Sequence, residues 1–261
     1  MYKNKIVKLI KKIYPRYGLK YDDIILASYP KSGNTWFRFI WLNIVSLIDL
    51  EGEQVDFHIV NGPLNAEYDS HSYGSIKYNC LSRLVKTHMK YDKRFEENRS
   101  IYIVRNPGDV MVSFYEYQKA HNTNKPFTNN LSTFINSPEF GIDKWCKHVQ
   151  SWSYQSEIIT KYETLKTDTF NEVKKIINQL NLSENIQDLV IEKAVRRSSF
   201  NSMRKIEEMK GRPNMENKFK EDYKFTRKGS TGEWREKING NDILLIRNKL
   251  KEYNLDNLYK I

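Results

Sequence analysis

The sequence has few cysteines and lacks the usual nucleotide-binding string. Of its 261 residues only 2 are cysteines. Cys80 and Cys146 do not have CxxC spacing, so we expect reduced thiols that pack as small hydrophobic side chains and carry no chemistry. No His/Cys/Asp cluster has the spacing of metal ligands, and we predict no metal. No GxxxxGKS/T string occurs, which argues against an ordinary nucleotide P-loop.

Long hydrophobic runs and linker-like stretches are also missing. The most apolar helical segment, WFRFIWLNIVSLIDL, has 15 residues including Arg38 and Asn43, so it predicts a core helix and not a membrane span. Lys8 interrupts the apolar stretch near the start, and no small-residue cleavage site follows, so we expect no secretory signal and a cytoplasmic protein. No linker or repeat divides the chain. We therefore predict one domain over residues 21–261.

Acidic residues are absent from residues 1–20, which contain seven Lys or Arg. The formal charge is +11, and the rest of the chain has 36 basic and 32 acidic residues, a net of only +4. Because the excess is local, we predict no nucleic-acid partner. The apolar residues of this basic segment fall at helical spacing, so it could contact an anionic membrane surface. A solvated helix or frayed terminus is the favoured alternative.

The most informative motif is YPKSGNTW at residues 29–36. It follows an apolar run, residues 24–27, that predicts a buried strand, and it opens an apolar helix. Such a turn directs backbone N–H groups and the positive end of the helix dipole at one point. Lys31 adds a mobile charge, and Gly33 removes a side chain that would block an anion. We predict a phosphate-like or sulfate-like ligand; a tight turn with an exposed lysine is the alternative.

A second strand, turn and helix are predicted in SIYIVRNPGDVMVSFYEY. Residues 101–104 form the strand, and Pro107 takes the favoured first position of the helix. Arg105 at the strand end and Ser113 two turns into the helix could converge on a second anion. The alternative is an ion pair between Arg105 and Asp109, with Ser113 an ordinary helix residue.

Between these motifs, LSRLVKTHMK predicts a strand that ends on Lys86, Thr87 and His88. A neutral imidazole at this strand end is well placed to accept a proton near neutral pH. For a lone histidine a packed or solvated role is favoured, and we assign that role to the other four: His58, His71, His121 and His148.

A basic, glycine-containing segment, KFTRKGSTGEWREKI, follows near the C-terminus. Arg227 and Lys228 precede Gly229 and Gly232, so two cations lie on a flexible stretch. This pattern predicts a loop that folds over an anionic ligand. A solvated basic loop is the alternative.

YPKSGNTW, VKTH, YIVRNPGDVMVSFYEY and RKGSTGEW together, in this order, resemble the signature segments of the cytosolic-type sulfotransferases. The resemblance implies a single α/β domain with a central, mostly parallel sheet flanked by helices, related to the P-loop nucleotide kinases. It implies transfer of a sulfuryl group from 3′-phosphoadenosine 5′-phosphosulfate (PAPS) to an acceptor hydroxyl, with adenosine 3′,5′-bisphosphate (PAP) as product and no metal.

The resemblance also assigns residues. It implies His88 as the base and Lys31 and Lys86 as charge-stabilising groups at the leaving phosphate and the sulfuryl oxygens. The 5′-phosphosulfate would be bound by Lys31, Ser32, Gly33, Asn34 and Thr35. The nucleoside would be bound by Trp36, Tyr162, Ser198, Ser199 and Phe200, and the 3′-phosphate by Arg105, Ser113, Arg227, Lys228 and Gly229.

Three departures from the family pattern limit how far the roles of the family's residues can be assigned to this chain. Asn34 stands where threonine is usual, so we expect more from Thr35. Met89 follows the VKTH segment where leucine is common, so the resemblance does not predict which residues form the acceptor side of the site. The tail lacks the usual dimer segment, so the oligomeric state stays open, and residues 243–250 predict a helix that packs back on the domain.

The acceptor pocket is expected among residues 58–73, 121–130 and 201–223, the last as a lid. The Asn and Thr residues of the second segment favour a glycan or another polar alcohol as acceptor. Two other functions compete with sulfuryl transfer. One is a nucleotide-dependent kinase on the same scaffold, and the other is a non-catalytic protein that binds nucleotide or an anionic polymer.

Overall fold

Six strands form one sheet at the centre of the computed structural model, which describes residues 18–61, 66–69, 72–73, 79–121, 127–211, 218–220, 223–259 and 261. The strands are β1 Ile24–Ser28, β2 Ala66–Glu67, β3 Ser72–Tyr73, β4 Leu84–Thr87, β5 Arg99–Val104 and β6 Ile158–Lys161. Their order in the sheet is β3-β2-β4-β1-β5-β6, and within the described residues only β3 runs antiparallel. The predicted mostly parallel sheet is confirmed.

Helices follow or connect most of these strands. They are α1 Asn34–Asp49, α2 Phe57–Val60, α3 Pro107–Ala120, α4 Leu131–Ile135, α5 Ile142–Ser153, α6 Tyr162–Thr167, α7 Thr169–Gln179, α8 Asp188–Arg197, α9 Phe200–Lys210, α10 Trp234–Lys237 and α11 Gly240–Glu252. Two short 3₁₀ turns, Lys93–Phe95 and Ser183–Asn185, complete the described elements. The predicted core helix corresponds to α1, and α3 begins at Pro107 as expected.

The sheet is covered on both faces, which is why β1 is a continuous apolar run with every residue buried. Ile24 and Leu26 point to one core with α1, α7 and α8, while Ile25 and Ala27 point to a second core with α3 and α5. The predicted tail helix is α11, and its Ile246 side chain lies in the second core.

The carboxyl ends of β1, β4, β5 and β6 lie at the same edge of the sheet because these strands are parallel. Ligands of open α/β sheets bind at this edge. The residues that follow these four strands are Tyr29, His88, Arg105 and Tyr162, so the fold brings the predicted motifs together.

Several predictions fall on residues that the structure does not describe. Residues 1–17 of the predicted basic segment lie outside the described part of the chain, as do residues 62–65, 70–71, 122–126, 212–217 and 221–222 of the predicted acceptor segments, including His71. Among the helices that are described, none has the length and apolar character needed to cross a membrane.

Candidate active site

The turn after β1 has a left-handed backbone at two positions. Lys31 has φ 69° and Gly33 has φ 100°, and α1 begins directly afterwards at Asn34. The Lys31 ammonium lies 4.7 Å from the centre of the Tyr117 ring and 4.6 Å from that of Phe225. These two cation–π contacts hold the charge on aromatic rings, and Lys31, Tyr117 and Phe225 all line one cavity.

Only glycine fits at position 33, because the Tyr162 ring packs directly against it. A Cβ atom at position 33 would lie 2.6 Å from the Tyr162 ring, and φ 100° is unfavourable for any other residue. The sequence predicted that this glycine leaves room for an anion, whereas in the structure the space is taken by an aromatic ring.

We expect Gly33→Ala to lower the free energy of unfolding and to weaken ligand binding. A non-glycine residue in this backbone region costs about 1–3 kcal/mol, and the ring collision adds to that cost. Gly52→Ala is the matched control, because Gly52 has φ 77° but its Cβ would meet nothing closer than 3.9 Å. Urea unfolding measures both variants. Equal losses would show that the Tyr162 contact is unimportant.

Ser32 and Asn34, two other residues of the motif, have buried side chains. The Ser32 side chain is buried, makes no hydrogen bond within the described residues and does not line the cavity. Asn34 lines the cavity, but its Nδ2 donates to Leu26 O at 3.2 Å and to Ser28 Oγ at 3.3 Å. Asn34 therefore connects the start of the helix to β1. Thr35, the next residue, carries a hydroxyl group and also lines the cavity.

Arg105 joins three parts of the site. It donates to Lys31 O at 3.0 Å and to Ser230 O at 3.1 Å, and its guanidinium lies 4.4 Å from the centre of the Tyr162 ring. Arg105 and Ser113 both line the cavity, so the predicted convergence is present.

The alternative ion pair between Arg105 and Asp109 is wrong. Asp109 is buried and accepts from Gly232 N at 2.7 Å and from Trp234 N at 3.3 Å. Asp109 therefore fixes the glycine-containing loop on α3, and Arg105 is left to face the cavity.

His88 lines the cavity with a defined tautomer. Its Nδ1 lies 2.7 Å from Ser28 O, and because a carbonyl oxygen only accepts, Nδ1 carries the proton and Nε2 carries the lone pair. Withdrawal of the ring from water and the charge of Lys86 lower the pKa of His88 to about 3. The imidazole is therefore neutral and able to accept a proton at Nε2.

The two loop cations share one carboxylate. Arg227 NH1 and Lys228 Nζ each lie 2.9 Å from Glu233 Oε1, and the Glu233 side chain is 8% exposed. Hydrogen bonds from Arg227 and Lys228 lower the pKa of Glu233 to about 2. Gly229 lies directly against the Phe200 ring, which places the loop over the cavity.

We expect Glu233→Gln to be less stable than the wild type at neutral pH. Because the folded-state pKa of Glu233 is lower than its ordinary 4.5, the contribution of the carboxylate is complete above pH 4.5 and is lost as the pH falls toward 2. Urea unfolding from pH 7 to pH 3 should therefore show the difference between the two proteins shrinking. Glu252→Gln, at an exposed carboxylate paired with Lys249, should show little difference at any pH. A constant gap for Glu233→Gln would contradict the assigned pairing.

Aromatic side chains line another part of the cavity. Trp36 and Tyr162 meet edge to face with ring centres 5.7 Å apart, and Phe200 lies on the same wall. The structure does not bring Ser198 or Ser199 to this wall: Ser198 is fully buried, its Oγ accepts from Asn43, and its carbonyl accepts from Trp36 Nε1 at 2.9 Å. In place of the predicted contact with a nucleoside, Ser198 supports Trp36, and the Ser199 side chain accepts from Ser202 N at the start of α9.

The cavity has a volume of about 500 Å³, within the range of small-ligand sites. Among the described residues that line it, one is acidic, Glu233, and the basic ones are Lys31, Arg38, Lys86, Arg105, Lys166, Arg227 and Lys228. Lys86 also forms an ion pair with Glu67 on the neighbouring strand. The arrangement suits a ligand with several negative charges. No cluster of metal-binding side chains is found in the described residues.

Sequence reasoning missed several residues of the cavity. Tyr117 lies four residues after Ser113 and Lys166 four residues after Tyr162, so helical periodicity would have placed both on the cavity face. Burial and the charge of Arg105 lower the pKa of Lys166. Asp109 had no such signal, because its partners Gly232 N and Trp234 N lie on another element. Glu233 lies five and six residues after its partners Lys228 and Arg227, at a spacing that no regular periodicity marks.

The fold and the cavity define an α/β protein with a predominantly basic cavity at the carboxyl edge of its sheet and a neutral histidine in the cavity wall. The family model described as "Sulfotransferase domain" matches residues 21–253. The chain therefore belongs to the sulfotransferase family, and the predicted family and fold class are confirmed.

Known relatives agree with this membership. Sulfotransferase 1B1 of the dog, Canis lupus familiaris, is 33% identical over 199 residues, which are 70% of this chain and 66% of that protein. Sulfotransferase 2A6 of the mouse, Mus musculus, is 28% identical over 87% of this chain and 82% of its own length. Among solved structures, a mouse sulfotransferase complexed with PAP has a TM-score of 0.65 at 23% identity and covers 90% of this chain and 84% of its own.

Proposed function

We propose that this protein transfers a sulfuryl group from PAPS to an acceptor hydroxyl. The observation that carries the proposal is the convergence of Lys31, Arg105 and the RKG loop on one cavity beside the neutral imidazole of His88. Family membership and the PAP bound to the mouse relative support the same donor. A polyanionic nucleotide matches the excess of basic side chains in the cavity wall.

The donor nucleotide would use both ends of the cavity. Its 5′-phosphosulfate would lie at the helix N-terminus beside Lys31 and Thr35, where the dipole favours negative charge. Its 3′-phosphate would meet Arg105, Ser113 and the loop of Arg227 to Gly229. Its adenine would lie against the aromatic wall of Trp36, Tyr162 and Phe200.

The reaction forms one bond and breaks another. The acceptor oxygen bonds to sulfur, the bond from sulfur to the bridging phosphate oxygen breaks, and the acceptor proton passes to His88 Nε2. By analogy with phosphoryl transfer, we expect a loose, in-line transition state with charge building on the leaving oxygen. Lys31 would stabilise that oxygen, and Lys86 would act at the sulfuryl oxygens.

The ion pairs of Arg227 and Lys228 with Glu233 would prepare the loop for the 3′-phosphate of the donor. In the absence of a phosphate the carboxylate partly neutralises both cations, so the loop keeps a defined shape. A bound 3′-phosphate would share these donors, since an arginine fork can serve two acceptors.

A thermal-shift panel tests the donor. A ligand at 100 times its Kd stabilises the folded state by about 2.7 kcal/mol. PAP without metal should raise the Tm, whereas ATP with magnesium and a heparin-like polymer should have smaller effects. A shift with ATP alone would favour the kinase, and a shift with the polymer alone would favour a non-catalytic binder.

The acceptor class is a separate question. Phe114 and Tyr117 give the cavity wall an aromatic part, and Gln118 adds a polar group, while the predicted polar segment 121–130 favours a glycan or a small polar alcohol. A transfer screen with labelled sulfate across glycans, alcohols, phenols and lipids identifies the class. Transfer to phenols alone would overturn the preference for a polar acceptor.

A further inference from the structure

A buried histidine and a buried tyrosine lie behind His88 and have no part in the mechanism above. His148 on α5 is 3% exposed, and Tyr102 on β5 is 1% exposed. The two rings stack with centres 5.7 Å apart and planes at 28°. The sequence assigned His148 a packed or solvated role, and the structure shows it packed, with both of its ring nitrogens in specific hydrogen bonds.

The hydrogen bonds run in one direction through this pair. His148 Nε2 lies 3.1 Å from His88 O, so it donates to that carbonyl. His148 Nδ1 therefore carries the lone pair and accepts from the Tyr102 hydroxyl at 2.9 Å. Burial lowers the pKa of His148 to about 4 and raises that of Tyr102 well above 10, so both keep these roles at neutral pH.

The chain of contacts extends to the anion-binding turn. The ring of Tyr29, the first residue of YPKSGNTW, meets the His148 ring edge to face, with ring centres 5.5 Å apart. His148 therefore connects the turn that follows β1 with the segment that follows β4, and the Tyr102 hydroxyl holds His148 from β5. The two elements that must face each other across the reacting group are joined by buried side chains.

The backbone of His88 is also held on its other side. Asp69 accepts from His88 N at 2.8 Å and from Thr87 Oγ1 at 2.5 Å, and Trp152 Nε1 donates to Met89 O at 2.9 Å. Of these contacts, only the one from His148 reaches the carbonyl of His88 itself. The orientation of the imidazole depends on this peptide as well as on the contacts of Nδ1 with Ser28, whose carbonyl and hydroxyl oxygens lie 2.7 Å and 3.5 Å away.

We propose that Tyr102 and His148 are positioning residues that fix the peptide of His88 relative to the anion-binding turn and so orient Nε2 toward the acceptor. The proposal rests on the proposed sulfuryl transfer. A shift of about 1 Å in a catalytic group can cost ~10²-fold in rate, so a loosened peptide should slow the reaction. It should also let water reach the imidazole, which raises the pKa of His88 toward its ordinary value.

The charged and titratable groups around the pair are few. They are Lys86, Glu67 and Asp69 around His88, and Lys90, Tyr29 and Tyr102 around His148. A control variant outside the pair keeps all of these groups. A change in the acid limb of the rate profile that occurs in variants of the pair and not in the control is therefore assigned to the histidines.

Tyr102→Phe and His148→Leu are the test variants. We expect kcat for labelled-sulfate transfer to fall about tenfold or more, with the Kd for PAP within twofold of the wild type. The acid limb of the kcat profile, which lies below pH 5 in the wild type, should move upward. His148→Gln keeps a side-chain N–H for the His88 carbonyl and should recover part of the rate. The double variant should be no slower than His148→Leu, because both changes break one chain of contacts.

Thr160→Val is the matched control. Thr160 is buried on the neighbouring strand β6, and its hydroxyl donates to Glu172 at 2.9 Å, away from His88. It should lose stability without a change in kcat or in the pH profile. If Tyr102→Phe behaves like this control, the pair is only structural and the proposal is overturned. If the wild type transfers no sulfate to any acceptor, the proposed function fails instead. Tyr102→Phe removes a single oxygen, so it serves as the test should His148→Leu not fold.

Discussion

His88→Ala is expected to lower the rate of sulfuryl transfer by ~10²–10⁴-fold, the usual contribution of a positioned base. The structure gives the reason: Nδ1 donates to Ser28 O, which leaves Nε2 as the basic nitrogen of a neutral ring in the cavity wall. Without the ring, the site loses the nitrogen that takes the proton of the acceptor hydroxyl in the proposed reaction. The rate is measured as labelled-sulfate transfer under saturating PAPS.

Binding and folding should be nearly unchanged in this variant. His88 lies on the acceptor side of the proposed reaction and does not contact the proposed phosphate sites, so the Tm shift produced by PAP should match that of the wild type. His58→Ala is the matched control, because His58 is exposed, does not line the cavity and has its Nε2 3.1 Å from Lys210 O. Near-full turnover by His88→Ala would remove His88 from the role of base.

Arg105→Ala is expected to weaken PAP binding about 100-fold or more. Each hydrogen bond to a charged group contributes about 1.5–3 kcal/mol, and the variant loses both the proposed phosphate contact and the bonds to Lys31 O and Ser230 O. Those two bonds hold the turn after β1 and the RKG loop at a fixed separation. Isothermal calorimetry with PAP measures the loss.

Two comparisons separate charge from geometry. Arg105→Lys keeps the charge but cannot donate to both carbonyls, so its affinity should lie between those of Arg105→Ala and the wild type. Arg99→Ala removes an arginine from the opposite end of β5, where it pairs with Glu157, and should leave the affinity unchanged. An unchanged Kd for Arg105→Ala would contradict the proposed 3′-phosphate site.

The motifs at the strand ends could be predicted from the sequence because each is local. An apolar run followed by YPKSGNTW specifies a strand, a left-handed turn and a helix within about 20 residues, and Pro107 marks the start of α3. The parallel order of the strands then brings Lys31, His88 and Arg105 to one edge. Residue chemistry at that edge was predictable because each side chain directly follows a strand.

Contacts between distant elements could not be predicted in the same way. Asp109 was a reasonable partner for Arg105 by helical spacing, yet it binds the backbone of residues 232 and 234, more than 120 positions later. Ser198 matched a nucleoside contact by motif, but the burial of α8 against α1 turns it to Asn43. The outcome in each case depends on which partner the packing brings within hydrogen-bond distance.

The sequence by itself determined the family, the alternation of strands and helices, and the residue types that converge at the edge of the sheet, since these follow from local patterns. The tertiary structure decided the tautomer of His88, the binding of Asp109 to the backbone of residues 232 and 234, and the contacts that join Tyr29 and Tyr102 to His148 and His148 to the peptide of His88. These features depend on distances between groups on different elements, and only the folded chain fixes such distances.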